Sequence, residues 1–336
     1  MRIGSFDTDK KVLVVAEIGN NHEGSYSLAE EMIGLAAEAG AGAVKLQTFR
    51  TEHYVGLANK DRFNMLKSFE LTYNDFERLK KVADEAGVLF ISTPFDIQSA
   101  MFLNNIVPAF KIASGDNTFY PLLEAVAGFG KPIVLSCGLT SLVRLRYAKA
   151  LIERVWSEKN YDQEMAVLHC VTSYPVPLSQ ANLGAIQLLK KELQCQVGYS
   201  DHTVGVESAV FAVAAGARII EKHFTLDKSH SDFRDHQLSS DPGDLKRMVD
   251  QIFVVEEMMG SGEKDLQECE KSCITAVRRS IVASRDIKRG AVVRLDDITW
   301  VRPAGGIPPG REALVLGKTV TRDVCKGELL ALDILE

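Results

Sequence analysis

Short apolar, β-branched runs alternate along the chain with longer stretches whose apolar residues recur at helical spacing, the pattern of parallel strand-helix units. The runs lie at 12–19 (VLVVAEIG), 43–49 (AVKLQTF), 88–95 (VLFISTPF), 109–116 (AFKIASGD), 132–138 (PIVLSCG), 166–174 (AVLHCVTSY), 196–203 (QVGYSDHT) and 218–225 (RIIEKHFT). Between them SLAEEMIGLAAEAG, LVRLRYAKALIERVW and ESAVFAVAAGA read as helices, several ending at the glycine of a C-cap, and DLKRMVDQIFVVEEMMG closes the series. Eight such units predict a closed (β/α)8 barrel, the TIM barrel. An open doubly wound sheet would alternate in the same way, but the GxGxxG fingerprint after its first strand is missing.

The pattern changes after the last helix. SGEKDLQECEKS is polar, and short strands with Gly- and Pro-rich turns such as DIKRG and RPAGGIPPG follow. The expected organisation is a barrel over 1–262, a linker over 263–278 and a small domain over 279–336, of a size that gains from docking against something larger. A total of 336 residues suits one barrel of roughly 250 residues plus this appendage.

Composition narrows the class. With 46% hydrophobic and 25% charged residues the chain reads as globular and soluble. A net charge of -6 argues against nucleic acid or an anionic membrane as partner, and no segment approaches the ~20 apolar residues of a membrane span. The first residues carry charges where an export signal has its apolar stretch, so a cytoplasmic location is expected. Cysteines 137, 170, 195, 269, 273 and 325 form no CxxC pair and read as reduced thiols; Cys269 and Cys273 lack the second pair a zinc site needs.

Nearly every strand begins apolar and finishes with a charged or hydrogen-bonding residue: Glu17 with Asn20, Lys45 with Gln47, Thr93, Lys111 with Ser114, Ser136, His169 with Tyr174, Ser200 with His202, and Glu221 with His223. In a barrel these ends converge on the face where active sites of this fold lie. Lysines inside runs such as AVKLQTF are costly to bury alone, and a bound anion would relieve them. Lys45 and Lys111, with Ser114, Ser136 and Ser200, therefore form a candidate cradle for a phosphate and a carboxylate. Pairing of one lysine with a barrel carboxylate such as Glu221 is the alternative. His202 and His223 close adjacent strands and suit a divalent ion, Mn²⁺ or Mg²⁺ or Co²⁺ in its place, with Glu17, Glu221 and Asp235 nearby; its task would be to polarise an aldehyde oxygen. A Schiff base on a lysine stays open, although it has little use for paired histidines.

The blocks AEIGNNHEG, VKLQTF, STPFD, FKIASGD, LSCGL, LHCVTSYPVP, GYSDHT and IEKHFTLDK, in order over residues 16–228, resemble the phosphoenolpyruvate-dependent sialic acid synthases, including N-acetylneuraminate synthases and their legionaminic and pseudaminic relatives. RRSIVASRDIKRGAVVRLDDITWVRPAGGIPP is similar to that family's antifreeze-like (SAF) domain. The resemblance implies an enzyme that condenses phosphoenolpyruvate with an amino-sugar aldehyde such as N-acetylmannosamine, to a nine-carbon 2-keto sugar acid. Lys45, Gln47, Thr93, Lys111, Ser114, Ser136 and Ser200 would hold phosphoenolpyruvate, and His202 and His223 would hold Mn²⁺. Glu17 and Glu221 would manage protons as catalytic residues beside Lys45 and Lys111, and Tyr174 and Asp235 would face the sugar.

The resemblance also implies a domain-swapped homodimer in which Arg302, of VRPAGG, reaches the sugar's acyl group in the other subunit's barrel; a tethered domain on its own barrel is the alternative. Ala304 stands where a glycine is common. Thr172 stands where N-acetylneuraminate synthases often place Asn, and Phe233, Arg234, Asp235, His236 replace a GPDH motif, so KSHSDFRDHQLSSDP leaves the sugar's identity open, as between N-acetylmannosamine and a diacetamido sugar. Two enzymes remain as rivals, a related barrel that acts on a phosphorylated sugar and a Schiff-base aldolase that uses pyruvate. A non-catalytic binder would not need the whole set of Lys, Ser, His and Glu.

Overall fold

The computed structural model describes residues 1–336, apart from the side chain of Arg234. The chain forms two compact units, Met1–Gly260 and Ser261–Glu336. The first opens with a two-stranded hairpin, β1 (Arg2–Ile3) and β2 (Phe6–Asp7). Eight parallel strands follow: β3 (Leu13–Gly19), β4 (Ala43–Thr48), β5 (Leu89–Pro94), β6 (Phe110–Ile112), β7 (Ile133–Ser136), β8 (Met165–Cys170), β9 (Gln196–Asp201) and β10 (Ile219–His223). They pair in chain order, and β10 closes the ring against β3. All eight expected strands are present. Each is shorter than its apolar run, and β6 and β8 fall furthest short at their C-terminal ends: β6 gives way to a tight turn at Ser114–Asp116, and β8 ends before Tyr174, which precedes a proline unable to donate to a ladder.

The four stretches read as helices form Tyr26–Glu38, Leu142–Glu158, Glu207–Ala214 and Pro242–Met259, and further helices lie in the other connections. Tyr73–Glu85, for example, starts at a capping box between Thr72 and Asp75 and buries Phe76, Leu79 and Ala83 on one face. Strand alternation then splits the apolar residues into two cores. Val14, Ala16, Ile18, Val44, Leu46 and Phe90 point outward to the helices. Leu13, Val15, Ala43, Ile91, Ala109, Val134, Ala166, Leu168 and Ile219 point inward, and Met1 and Ile3 of the hairpin join them. The barrel floor is therefore a packed apolar plug, each large aliphatic side chain contributing about 1.5–3 kcal/mol by burial.

The second unit pairs β11 (Ser280–Ala283) with β12 (Ile298–Val301) antiparallel around Ile281, Ile287, Val293, Val315, Val320, Val324 and Leu330. The polar stretch before it contains a 3-10 turn at Glu268–Cys273 and a short helix at Ile274–Val277. Cys269 and Cys273 are both exposed. Among the described residues no helix is long and apolar enough to cross a membrane.

Gly198 on β9 shows how tightly the floor is packed: an added Cβ would lie 2.3 Å from the carbonyl oxygen of Ile219 and 2.4 Å from Leu168 Cδ2. Gly198→Ala is expected to lower stability by about 1–3 kcal/mol, seen as a lower urea midpoint. An unchanged midpoint would contradict this packing.

Candidate active site

The inward-facing set changes character one layer above the plug. Glu17 follows Val15 by two residues, Lys45 follows Ala43, Thr93 follows Ile91, Lys111 follows Ala109, Ser136 follows Val134 and Glu221 follows Ile219, so the same alternation that fills the floor delivers polar groups to the rim. They line a cavity of about 1070 Å³ at the C-terminal ends of the strands. Gln47, Ser114, Tyr174, Ser200, His202, His223 and Asp235 line the same cavity. One of the barrel residues singled out from the sequence lies elsewhere. His169 faces outward, its Nε2 2.8 Å from the Ala181 carbonyl and its ring stacked on Tyr199. Arg302 is exposed on the second unit. The Arg234 side chain lies outside the described residues.

At the centre is a cluster of four charges. Lys45 Nζ lies 3.1 Å from Glu17 Oε2 and 3.2 Å from Glu221 Oε2, and Lys111 Nζ lies 3.5 Å from Glu221 Oε1. Lys45 and Lys111 are 4% and 3% exposed, which makes unpaired charge untenable there. Of the two expectations for these lysines, the pairing with a barrel carboxylate such as Glu221 is present in the free protein, and Glu17 joins it; the same lysines remain on the cavity wall. Lys45 also donates to Thr93 Oγ1 at 3.3 Å, Gln47 Nε2 to Glu17 Oε1 at 3.1 Å, and Ser200 Oγ to Glu221 Oε1 at 2.9 Å.

The two carboxylates are driven apart. Burial raises the Glu17 carboxyl, and Lys45 only partly offsets it. Glu221 feels the same burial, but Lys111, Lys45 and the Ser200 hydroxyl outweigh it and bring its carboxyl down to about 2. Glu221 is thus held toward its anionic form, while burial favours the protonated form of Glu17. Burial lowers Lys111, while for Lys45 the two carboxylates outweigh burial and raise it. The Ser136 hydroxyl is buried without a hydrogen-bond partner, a donor suited to a ligand.

The imidazoles of His202 and His223 lie 5.5 Å apart between ring centroids, with Tyr174 stacked on His202 at 4.2 Å. His202 Nδ1 is 3.0 Å from the Val171 carbonyl, which assigns it the proton and leaves Nε2 with its lone pair. His223 Nδ1 is buried without a partner, and burial lowers its pKa, keeping the ring in the neutral form that binds metals. Two open imidazole nitrogens fit a divalent ion. Among the described residues no group of three or more His, Cys, Asp or Glu side chains forms a metal site, so further ligands would come from substrate and water.

Other walls of the cavity carry no strand signal. The connection after β4 holds helices Thr51–Tyr54 and Lys60–Phe69, which contribute Tyr54, Arg62, Met65, Leu66 and Phe69. Glu23, Phe95, Cys170, Thr172, Asp232 and Phe233 come from other loops and strand ends. Asp116, two residues after Ser114, is pushed up to about 6 by burial, with Lys111 opposing.

A model of the NeuB family matches residues 32–264, and one of the SAF domain matches residues 278–336. The chain belongs to the NeuB family. An uncharacterized protein, MJ1065, of Methanocaldococcus jannaschii is 42% identical over 96% of this chain and 94% of its own. N,N'-diacetyllegionaminic acid synthase of Campylobacter jejuni is 37% identical over 96% of this chain and 99% of its own. The crystal structure of N-acetylneuraminic acid (sialic acid) synthetase from Leptospira borgpetersenii, in complex with citrate, superimposes with a TM-score of 0.76 at 35% identity, covering 82% of this chain and 94% of that one. This NeuB-family chain is thus an enzyme, a synthase of the group that makes sialic, legionaminic and pseudaminic acids.

The outer wall of the NeuB cavity is pinned by Glu70, which accepts from the Thr51 backbone N–H at 3.0 Å, the Thr51 hydroxyl at 2.8 Å, Arg50 at 2.9 Å and Lys67 at 3.2 Å. Burial opposes ionisation, but these donors bring its carboxyl from the ordinary 4.5 down to about 2. Because the folded value lies below the unfolded one, the stabilisation is complete above about pH 4.5 and fades as pH falls toward 2. Glu70→Gln is expected to lose about 2 kcal/mol at pH 7 by urea unfolding, with the gap to wild type closing across that window. A gap that persists at pH 2 would refute this role.

Proposed function

We infer that this enzyme joins phosphoenolpyruvate to the open-chain aldehyde of an unphosphorylated N-acyl hexosamine, such as N-acetylmannosamine, and gives a nine-carbon 2-keto sugar acid and inorganic phosphate. The observation that carries this reading is the dry Lys45–Glu17–Glu221–Lys111 cluster beneath two imidazoles in one cavity. Lys45 and Lys111 supply two cations for a multiply charged anion, and burial, which disfavours the charged form of Glu17, lessens the negative charge that would oppose it. Lys45, Lys111 and the Ser136 hydroxyl are then fixed donors that need no reorganisation as phosphate charge develops. Gln47, Thr93, Ser114 and Ser200 complete the phosphoenolpyruvate subsite.

The phosphoenolpyruvate methylene carbon attacks the aldehyde carbon and a C–C bond forms. The aldehyde oxygen takes up a proton, and Glu17, which holds one against ionisation, is the acid in reach of the cluster. Water adds to the former enol carbon and gives up a proton, a task that fits the Asp116 carboxyl with its value of about 6. The C–O bond to phosphate then breaks, the new hydroxyl gives its proton to the departing phosphate, and the 2-keto group is left. A divalent ion such as Mn²⁺ held by His202 and His223 would polarise the aldehyde oxygen. Tyr174 and Asp235 stand on the acceptor side.

Charge selects the acceptor. Among the described side chains that line the cavity beyond the lysine–glutamate cluster, Glu23, Asp232 and Asp235 stand against Arg62, which opposes a second phosphate. A diacetamido sugar, equally uncharged at these positions, is the second reading, favoured by the 37% identity to N,N'-diacetyllegionaminic acid synthase.

Incubation with phosphoenolpyruvate, Mn²⁺ and a panel of amino sugars is expected to release phosphate only when both substrates are present, with the product mass naming the acceptor. Lys111→Met is expected to lower kcat/KM about 10²–10³-fold. Phosphate release without an aldehyde, preference for a 6-phosphorylated sugar, or full activity of His202→Ala/His223→Ala would each contradict part of this assignment.

A further inference from the structure

His202 is the first residue beyond the β9 ladder. The last register pair between β9 and β10 is Asp201 with Lys222, one residue before each imidazole. Past that pair, a backbone hydrogen bond from Val176 reaches the His202 carbonyl, but no ladder holds it to β10. A side-chain network takes over where the ladder stops. Asp201 and Lys222 face away from the cavity, 0% and 1% exposed, and Lys222 Nζ donates to Asp201 Oδ2 at 2.9 Å. Asp201 Oδ1 accepts from the Thr203 N–H and hydroxyl, both at 2.8 Å, and from the Tyr199 hydroxyl at 3.2 Å. Lys222 Nζ also donates to the Thr203 carbonyl. The residues on both sides of His202 are therefore tied to the residue before His223.

We propose that the buried Asp201–Lys222 pair is a positioning device that fixes the spacing of His202 and His223 and so sets the affinity of the site for its divalent ion. The inference rests on the metal reading of the two histidines given above. Alternation makes it work: successive residues point to opposite faces, so a charge pair packed behind the strands grips the backbone without entering the cavity. An isolated buried charge would be costly at either position, whereas the pair with its additional hydrogen bonds is satisfied. Replacing both members by neutral groups of similar shape removes the tether and leaves no orphaned charge.

The test is Mn²⁺ titration of the full chain, followed by electron paramagnetic resonance, together with phosphoenolpyruvate titration in the absence of metal. Asp201→Asn/Lys222→Met is expected to weaken Mn²⁺ binding about 10–100-fold, as loss of groups that orient metal ligands does, while metal-free phosphoenolpyruvate affinity stays at the wild-type value. Should the double variant not fold, Thr203→Val, which removes one hydroxyl donor and keeps the shape, is expected to weaken Mn²⁺ binding in the same selective way. Wild-type Mn²⁺ affinity in a folded variant overturns the positioning role. An equal loss of phosphoenolpyruvate affinity also overturns it, by showing general damage. Wild-type binding that survives in His202→Ala/His223→Ala brings down the metal reading itself, and this proposal with it.

Discussion

Two lysines and two glutamates held out of water at the heart of a barrel constrain everything around them. Each ammonium would be prohibitive alone, and each carboxylate finds its compensation in the other elements of the ring: Glu17 from β3, Lys45 from β4, Lys111 from β6 and Glu221 from β10. Only a closed sheet brings those four strands to one point. The closure is in turn supported by the apolar plug beneath, which excludes water from below and leaves a single open side. Burial raises both carboxyls, and the two lysines with the Ser200 hydroxyl at Glu221 separate them in acidity.

Family likeness names a class of sugar-acid synthases, and in this chain the lysine–glutamate cluster and the imidazole pair line one cavity at the C-terminal ends of the strands.

Much of this was legible in the chain, and for a physical reason. Parallel strands covered by helices must be apolar on both faces, so a lysine in AVKLQTF or FKIASG, or a glutamate in RIIEKH, breaks a strong rule and announces itself. The convergence of these residues followed from the barrel alone. The pairing of the lysines did not, because runs of sequence do not state which strand neighbours face one another across the lumen. His169 illustrates the limit: its type and place match the other strand-end residues, yet it faces outward to Ala181 and Tyr199. One step of parity separates a cavity residue from a packing residue, and the irregular strand ends conceal that step. The N-terminal hairpin and the walls at Tyr54, Arg62, Met65, Leu66 and Phe69 carry no strand periodicity, so nothing in the pattern assigned them.

Those walls bear on how such enzymes diversify. Helices Thr51–Tyr54 and Lys60–Phe69 lie in one connection, outside the register that binds the strands, and are held by Glu70 together with the Tyr54–Phe95 and Phe69–Phe233 ring contacts. A change in that connection can therefore reshape the outer wall without disturbing the register that holds the charged cluster in place.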